Sequence, residues 1–146
     1  MEANTTEEAL ASLEMLLRNC GATVRRLRTD ELERDRTRWR ELYGPALGRR
    51  AWSWSREGYD WHVFSFQRHE AVEGAVATQA MASSTGATHH FLVLSARDDL
   101  RAGLAVEADH AIDLGPLGDD WTMLAEDGSW SMSWTSEGEG PFFARP

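Results

Sequence analysis

The sequence contains no lysine, and all fifteen of its basic residues are arginines. This absence is typical of the codon bias of a GC-rich genome; the alternative is that arginine is selected for its bidentate contacts with carboxylates and phosphates. Cysteine is almost absent too. Cys20 is the one cysteine of the chain, which excludes an intramolecular disulfide and favours a reducing compartment.

Long apolar runs are also missing. The sequence has no stretch of about 18 apolar residues, so it predicts no membrane-spanning helix. Its beginning, MEANTTEEAL, is acidic and lacks the basic start and the apolar run of a secretory signal. We therefore predict a cytoplasmic protein that makes no membrane contact.

Motifs of the common enzyme classes are absent as well. The stretches GPLG and GEGPFF lack the lysine and the strand–helix setting of a phosphate-binding loop. The sequence has no GxSxG nucleophile elbow, and Cys20 has no partner base. The sequence therefore predicts no cofactor, and it favours a binding protein over an enzyme.

Five histidines raise the question of a metal site. On a strand, His89 and His90 would point to opposite faces, so both could bind one ion only at a bulge. His69 and Glu73 are four residues apart, but no HExxH motif and no cysteine pair accompanies them. The sequence therefore predicts no metal site.

The net charge of −9 is unevenly distributed. Residues 22–56 contain ten arginines and five carboxylates, whereas residues 98–140 contain one arginine and eleven carboxylates. An acidic surface attracts a basic partner over a long range, and it repels nucleic acid and anionic membrane. The predicted partner is thus a basic protein; the alternative is a solvated surface that only keeps the protein soluble. The candidate binding residues are Asp98, Asp99, Asp119, Asp120, Glu126, Glu137 and Glu139.

The length of 146 residues predicts a single domain over 1–146, with a helical part at 1–45 and a sheet-forming part at 59–146. Apolar stripes predict helices at residues 6–19 and 30–43, and a run of small residues predicts a third helix at 75–83. Thr5 and Glu8 have the spacing of a capping box for the first helix. Cys20 continues the stripe of that helix, so we expect it in the core.

Apolar and alternating segments predict the strands. They lie at residues 22–27, 59–66, 88–95, 110–115, 121–125 and 129–135, and a short helix is predicted at 98–103. Asp127 and Gly128 form a hairpin-turn dipeptide between the last two strands. In the return strand SWSMSWT, tryptophan and methionine alternate with serine, which predicts one buried and one wet face. The predicted fold is α+β, with a mixed or antiparallel sheet of about four to six strands and two or three helices packed against it.

The segment YDWHVFSF at residues 59–66 is apolar on both faces of an extended chain. It therefore predicts a central strand that is covered on both sides, with His62 neutral and hydrogen-bonded inside. The alternative is a small enzyme in which His62 or Glu137 transfers a proton. The predicted core consists of Trp61, Phe64, Phe66, Leu92, Leu94, Trp130 and Trp134.

The segment GRRAWSWSREG offers a different surface. Its two tryptophans alternate with serine and are surrounded by arginines, a combination that can bind single-stranded nucleic acid or an acidic peptide. This would make the chain a regulatory or nucleic-acid-binding module. The simpler interpretation is that both tryptophans pack inward. The residues of this alternative patch are Arg49, Arg50, Trp52, Trp54 and Arg56.

Two stretches together resemble a small family of uncharacterised bacterial proteins. WHVFSF is followed by VEG and a helix, and the chain ends in a Trp-Thr strand followed by Gly-Pro-Phe-Phe. The resemblance covers residues 57–145 and implies a compact α+β fold with His62 in a core strand, but no activity. The family often ends its last strand in Thr-His-Glu, where this chain has Thr135, Ser136 and Glu137. The missing histidine argues against catalysis at this corner.

These observations favour a non-enzymatic binding protein whose acidic half engages a basic protein. An immunity protein that blocks a toxin is one concrete form of this function, since a small size and a strongly negative charge suit such an inhibitor.

Overall fold

The computed structural model describes residues 2–43, 64, 70–84, 90–95, 102–118, 120–136 and 140–146. Within these ranges it has three α-helices and seven β-strands. The helices are α1 (Glu2–Asn19), α2 (Thr29–Tyr43) and α3 (Ala75–Ser84). The strands are β1 (Thr23–Arg26), β2 (Val72–Glu73), β3 (His90–Ser95), β4 (Gly103–Glu107), β5 (Trp121–Ala125), β6 (Ser131–Trp134) and β7 (Phe142–Ala144).

The strands form one antiparallel sheet in the order β1-β4-β3-β5-β6-β7-β2. The α+β prediction is confirmed, although seven strands exceed the predicted number. The prediction of a helix up to Gly103 is wrong at its end, because Gly103 begins β4. The predicted strand at 110–115 does not form: Asp113 accepts a hydrogen bond from the Gly115 N–H, a local turn that leads into the 3₁₀ helix Gly115–Leu117.

The ends of α1 differ from the prediction. The helix begins at Glu2, so Thr5 lies inside it and does not cap it. Cys20 lies in the turn after the helix, where its N–H donates to the carbonyls of Leu16 and Leu17. Its side chain is exposed, so its predicted place in the core is wrong. The backbone stops following the helix after Asn19, because Gly21 adopts a left-handed conformation with a φ of 90°.

Helices α1 and α3 cover the first face of the sheet. Leu13 and Leu17 of α1 and Met81 of α3 pack there against the inner side chains of the central strands. Trp130 completes this layer and contacts the rings of Phe91 and Phe143, each 5.8 Å away between centroids. The buried strand residues of this face include Phe91, Val93, Leu104, Val106, Trp121, Met123, Met132, Trp134 and Phe143.

Helix α2 covers the second face of the sheet. Trp39 and Tyr43 pack with Phe64 in a cluster of rings whose centroids are 5.3 to 6.0 Å apart, and this cluster rests on Leu124 and Phe142. Phe64 is buried, as predicted, but its backbone is helical. The prediction of a strand is therefore wrong at this residue. The rest of the segment 59–66, with Trp61, His62 and Phe66, lies outside the described residues.

Strand β6 is covered on both faces, so the predicted wet face is wrong. Ser131 and Ser133 are fully buried. The Ser133 hydroxyl forms a hydrogen bond of 3.1 Å with that of Thr122, and the Ser131 hydroxyl accepts one from Trp39 of α2. Phe64, Leu94, Trp130 and Trp134 confirm the predicted core, while Leu92 is only half-buried.

None of the helices in the described ranges is both long and apolar enough to cross a membrane.

Candidate partner-binding groove

Helix α2 leaves part of the second face of the sheet uncovered. Its C-terminal half rests on the strands around β5 and β7. Its N-terminal half contacts β4 through Leu32 and β1 through Glu31, and it leaves the strand ends at Thr23, Glu107 and His90 exposed. A groove of about 580 Å³ opens there, a volume typical of ligand-binding clefts. The groove is lined by Thr23, Val24, Arg25, Leu27, Glu31, Arg34, Asp35, Arg38, His90, Phe91, Leu92, Ala105, Val106, Glu107 and Glu126.

The outer edge of the groove is a row of side chains across four neighbouring chain segments. Glu107 at the end of β4 is paired with Thr23 of β1 on one side and with His90 of β3 on the other. Glu126 continues the register beyond β5, because its N–H donates to the His90 carbonyl. Directly paired residues point to the same face of a sheet, so all four side chains lie on the second face.

The floor of the groove is apolar on β4 and β3, while β1 contributes Arg25, which is paired with Ala105. Ala105 and Leu92 form the next pair on this face, one step inward from the outer row, and both are half-buried. Further in, Leu32 of α2 closes the groove against the sheet. Gly103 makes this approach possible, because a Cβ added there would lie 3.0 Å from side-chain atoms of both Leu27 and Leu32.

The wall formed by α2 carries a buried carboxylate at Glu31. Both of its oxygens accept hydrogen bonds from the Arg25 guanidinium, at 2.8 and 3.0 Å. The backbone N–H of Arg28, the residue before α2, donates to it at 3.0 Å, as a third-position glutamate does in a capping box. These bonds lower the pKa of Glu31 to about 2, and the bond from Arg25 is the main cause. Arg25 and Glu31 therefore neutralise each other.

The other two arginines of the wall also lie beside carboxylates. Arg34 donates to the buried Asp35 at 3.1 and 3.3 Å. The guanidinium of Arg38 lies against the hairpin turn, where a Cβ added to Gly128 would be 2.9 Å from its Nη2. It contributes there to the lowered pKa of Asp127, which is due mainly to the Ser129 hydroxyl. Each guanidinium of the groove thus has an acidic neighbour within the protein.

Glu107 and Glu126 differ from Glu31 and Asp35, the carboxylates of the groove that are bonded to arginines. Both are exposed, and neither has an arginine partner among the described residues. Within the described ranges, the ion-pair contact of Glu126 is with His90, at 3.9 Å between His90 Nδ1 and Glu126 Oε2. We call these two carboxylates the acidic rim of the groove. Two further exposed acids, Asp109 and Asp127, follow them closely in the chain and extend the negative charge at this end of the sheet.

The structure distributes the predicted acidic binding residues widely. Glu126 belongs to the acidic rim. Asp120 is buried, and its carboxylate accepts hydrogen bonds from the backbone N–H and the hydroxyl of Ser136, at 2.9 and 2.6 Å. Several predicted residues lie outside the described residues: Asp98, Asp99, Asp119, Glu137 and Glu139, the patch Arg49, Arg50, Trp52, Trp54 and Arg56, and His62.

The sequence did not single out Glu107 or His90 as partner-binding residues. Their positions at strand ends could have indicated them: Glu107 is the last residue of the apolar segment GLAVE, and His90 is the first residue of HFLVLS. Because β4 was not predicted, their pairing was not visible. In the described part of the chain, no three side chains of His, Cys, Asp or Glu lie close enough together to hold a metal ion.

Comparison of the chain with protein-family models, with curated proteins and with solved structures gives no match in any of the three. A function therefore has to be argued from the groove itself.

Proposed function

We propose that this protein is a non-enzymatic binding protein that engages a basic protein partner through the groove and its acidic rim. An immunity-type inhibitor of a toxin is the concrete form of this function that we favour. The other predicted functions, a small enzyme and a nucleic-acid-binding module, depend on residues outside the described ranges.

The acidic rim is the observation that carries this proposal. Its two carboxylates are exposed at the mouth of the groove, while the arginines of the groove lie beside acids of the protein itself. A carboxylate without an arginine neighbour in the described ranges can accept a cation from outside, and such charges steer a basic partner into place. The net charge of −9 adds to this attraction over longer distances.

The compartment that we propose is the cytoplasm. A chain with a single cysteine is typical of reducing surroundings, and the exposed thiol of Cys20 would stay reduced there.

An affinity experiment with the purified protein as bait tests the proposal. We expect a basic protein from an extract of the native host to be retained at low salt and released at high salt, because salt screens exposed charges. The double variant Glu107→Gln, Glu126→Gln should lose this protein.

The control for this experiment is the double variant Glu8→Gln, Glu41→Gln. It changes the net charge equally, but both residues are exposed and neither lines the groove, so we expect it to retain the partner. Retention of an acidic protein, retention that is indifferent to salt, or equal loss in both double variants would contradict a binding function at the acidic rim.

A further inference from the structure

We infer that the groove receives one arginine side chain of the basic partner, with its guanidinium at the acidic rim and its aliphatic stem on the apolar floor. This inference rests on the proposed function and adds which chemical group the site recognises. It depends on the order of the rows across the sheet, on the internal pairing of the arginines of α2 and β1, and on the volume of the groove.

The order of the rows matches the two halves of an arginine side chain. The outer row contains Glu107, His90 and Glu126. The row directly inside it contains Ala105 and Leu92 and, on β1, Arg25, whose guanidinium is bonded to Glu31. Arginine and lysine bury their methylene stems on apolar surface while the charged head remains near water or a carboxylate. A side chain whose backbone lies above the floor and whose head points toward the outer row therefore meets apolar atoms with its stem and carboxylates with its head.

The spacing of the acidic rim favours arginine over lysine. Glu107 and Glu126 are separated by His90, which is two interstrand steps, or about 10 Å between backbones. A guanidinium has five N–H donors in a planar fork and forms bidentate bonds with carboxylates. It can also stack on the exposed imidazole of His90 between them. An ammonium is a compact charge without either capability.

The protein's own arginines that line the groove do not occupy the acidic rim. Arg25 is held by both oxygens of Glu31, and Arg34 is held by Asp35. Arg38 lies at the hairpin turn beside Gly128. Because these three guanidiniums already lie beside acids of the protein itself, the acidic rim at the outer row is where an incoming guanidinium meets carboxylates without an arginine neighbour among the described residues.

Three short peptides test the inference: an otherwise uncharged peptide with one central arginine, the same peptide with lysine, and the same peptide with citrulline. Citrulline has nearly the shape of arginine but no charge. We expect the arginine peptide to shift the amide NMR signals of the outer row and the floor of the groove. The lysine peptide should bind more weakly, and the citrulline peptide should produce no shifts. Equal binding of all three peptides would overturn the inference.

Two variants test separately the negative charge of the acidic rim and the free volume above the floor of the groove. Glu107→Gln, Glu126→Gln should weaken the arginine peptide about tenfold or more, since charge-assisted hydrogen bonds are lost. Ala105→Leu keeps the acidic rim but fills the floor, and it should also lose the peptide. Its matched control is Ala11→Leu on the exposed side of α1. Circular dichroism during heating shows that each variant is folded.

The outcomes distinguish this inference from the proposed function. If Ala105→Leu binds the arginine peptide as wild type does, the side chain does not enter the groove. If wild type ignores the arginine peptide but still retains a salt-sensitive basic protein that Glu107→Gln, Glu126→Gln loses, the inference fails and the proposed function stands. If the basic protein is not retained either, both fail.

Discussion

The indole Nε1 of Trp39 donates a hydrogen bond of 2.8 Å to the hydroxyl of Ser131, and both residues are buried. The two are 92 positions apart in the sequence. The bond connects α2 to the sheet at the point where the helix is anchored, and the N-terminal half of α2 extends from this anchor over the groove. The Ser131 hydroxyl in turn donates to the Met123 carbonyl at 3.0 Å.

Replacement of Ser131 by alanine should destabilise the protein. It leaves the indole N–H of Trp39 buried without a partner, which costs about 1–3 kcal/mol of unfolding free energy. Urea denaturation measures the change, and Ser83→Ala on the exposed surface of α3 is the control. The added variant Trp39→Phe completes a double-mutant cycle; a coupling energy near zero between the two positions would contradict the role of this bond.

Two methionines provide a matched test of the core. Met132 of β6 is fully buried, whereas Met15 of α1 is 65% exposed. Truncation of a buried methionine to alanine costs about 2–5 kcal/mol through lost burial and the cavity that remains. An exposed truncation usually changes stability by less than about 0.5 kcal/mol. We therefore expect Met132→Ala to lower the melting temperature strongly and Met15→Ala hardly at all, and similar losses in both would be inconsistent with the sheet as the centre of the core.

The ion pair of Arg25 with Glu31 predicts a change of stability with acid. The folded-state pKa of Glu31 is lowered from its ordinary value of 4.5 to about 2. The stabilisation by this carboxylate is therefore fully present above pH 4.5 and is lost as the pH falls from there toward 2. Unfolding free energies measured by urea denaturation across this range should decrease less steeply in Glu31→Gln than in wild type.

The partner variant provides the control for this prediction. Arg25→Gln removes the main cause of the lowered pKa, so it should flatten the same part of the pH profile. Arg18→Gln removes an equally exposed arginine that pairs with Glu14 and should leave the contribution of Glu31 unchanged. A wild-type slope in Arg25→Gln would show that this pair does not form in solution.

Apolar periodicity predicted α1 and α2, because an apolar stripe on one side of a helix has few ways to be buried, whereas α3 was predicted from its run of small residues. The bounds of α2 and α3 agree with the predicted ranges within one residue. Cys20 shows the limit of this reasoning. The stripe continues through it, but the turn at Gly21 removes it from the helix, and a pattern of side chains cannot show where the backbone changes direction.

Phe64 shows why the aromatic segment was misread. Its burial was predicted correctly, since a large apolar ring is driven from water in any backbone conformation. Its strand conformation was not, because a run that is apolar on both faces has no period to separate a strand from a helix. Serine in β6 is ambiguous for a related reason: it is small and polar, so it is suited to water and equally to a buried site that offers a hydrogen bond.

The sequence by itself determined the class of the fold, the hairpin at Asp127 and Gly128, and the excess of negative charge, since these depend on local periodicity, turn chemistry and composition. Only the tertiary structure decided which acids lie near one another. The acidic rim exists because the register of β4, β3 and the end of β5 brings Glu107 and Glu126 to the two sides of His90. Register arises from pairing between distant strands, and no local pattern along the chain contains it.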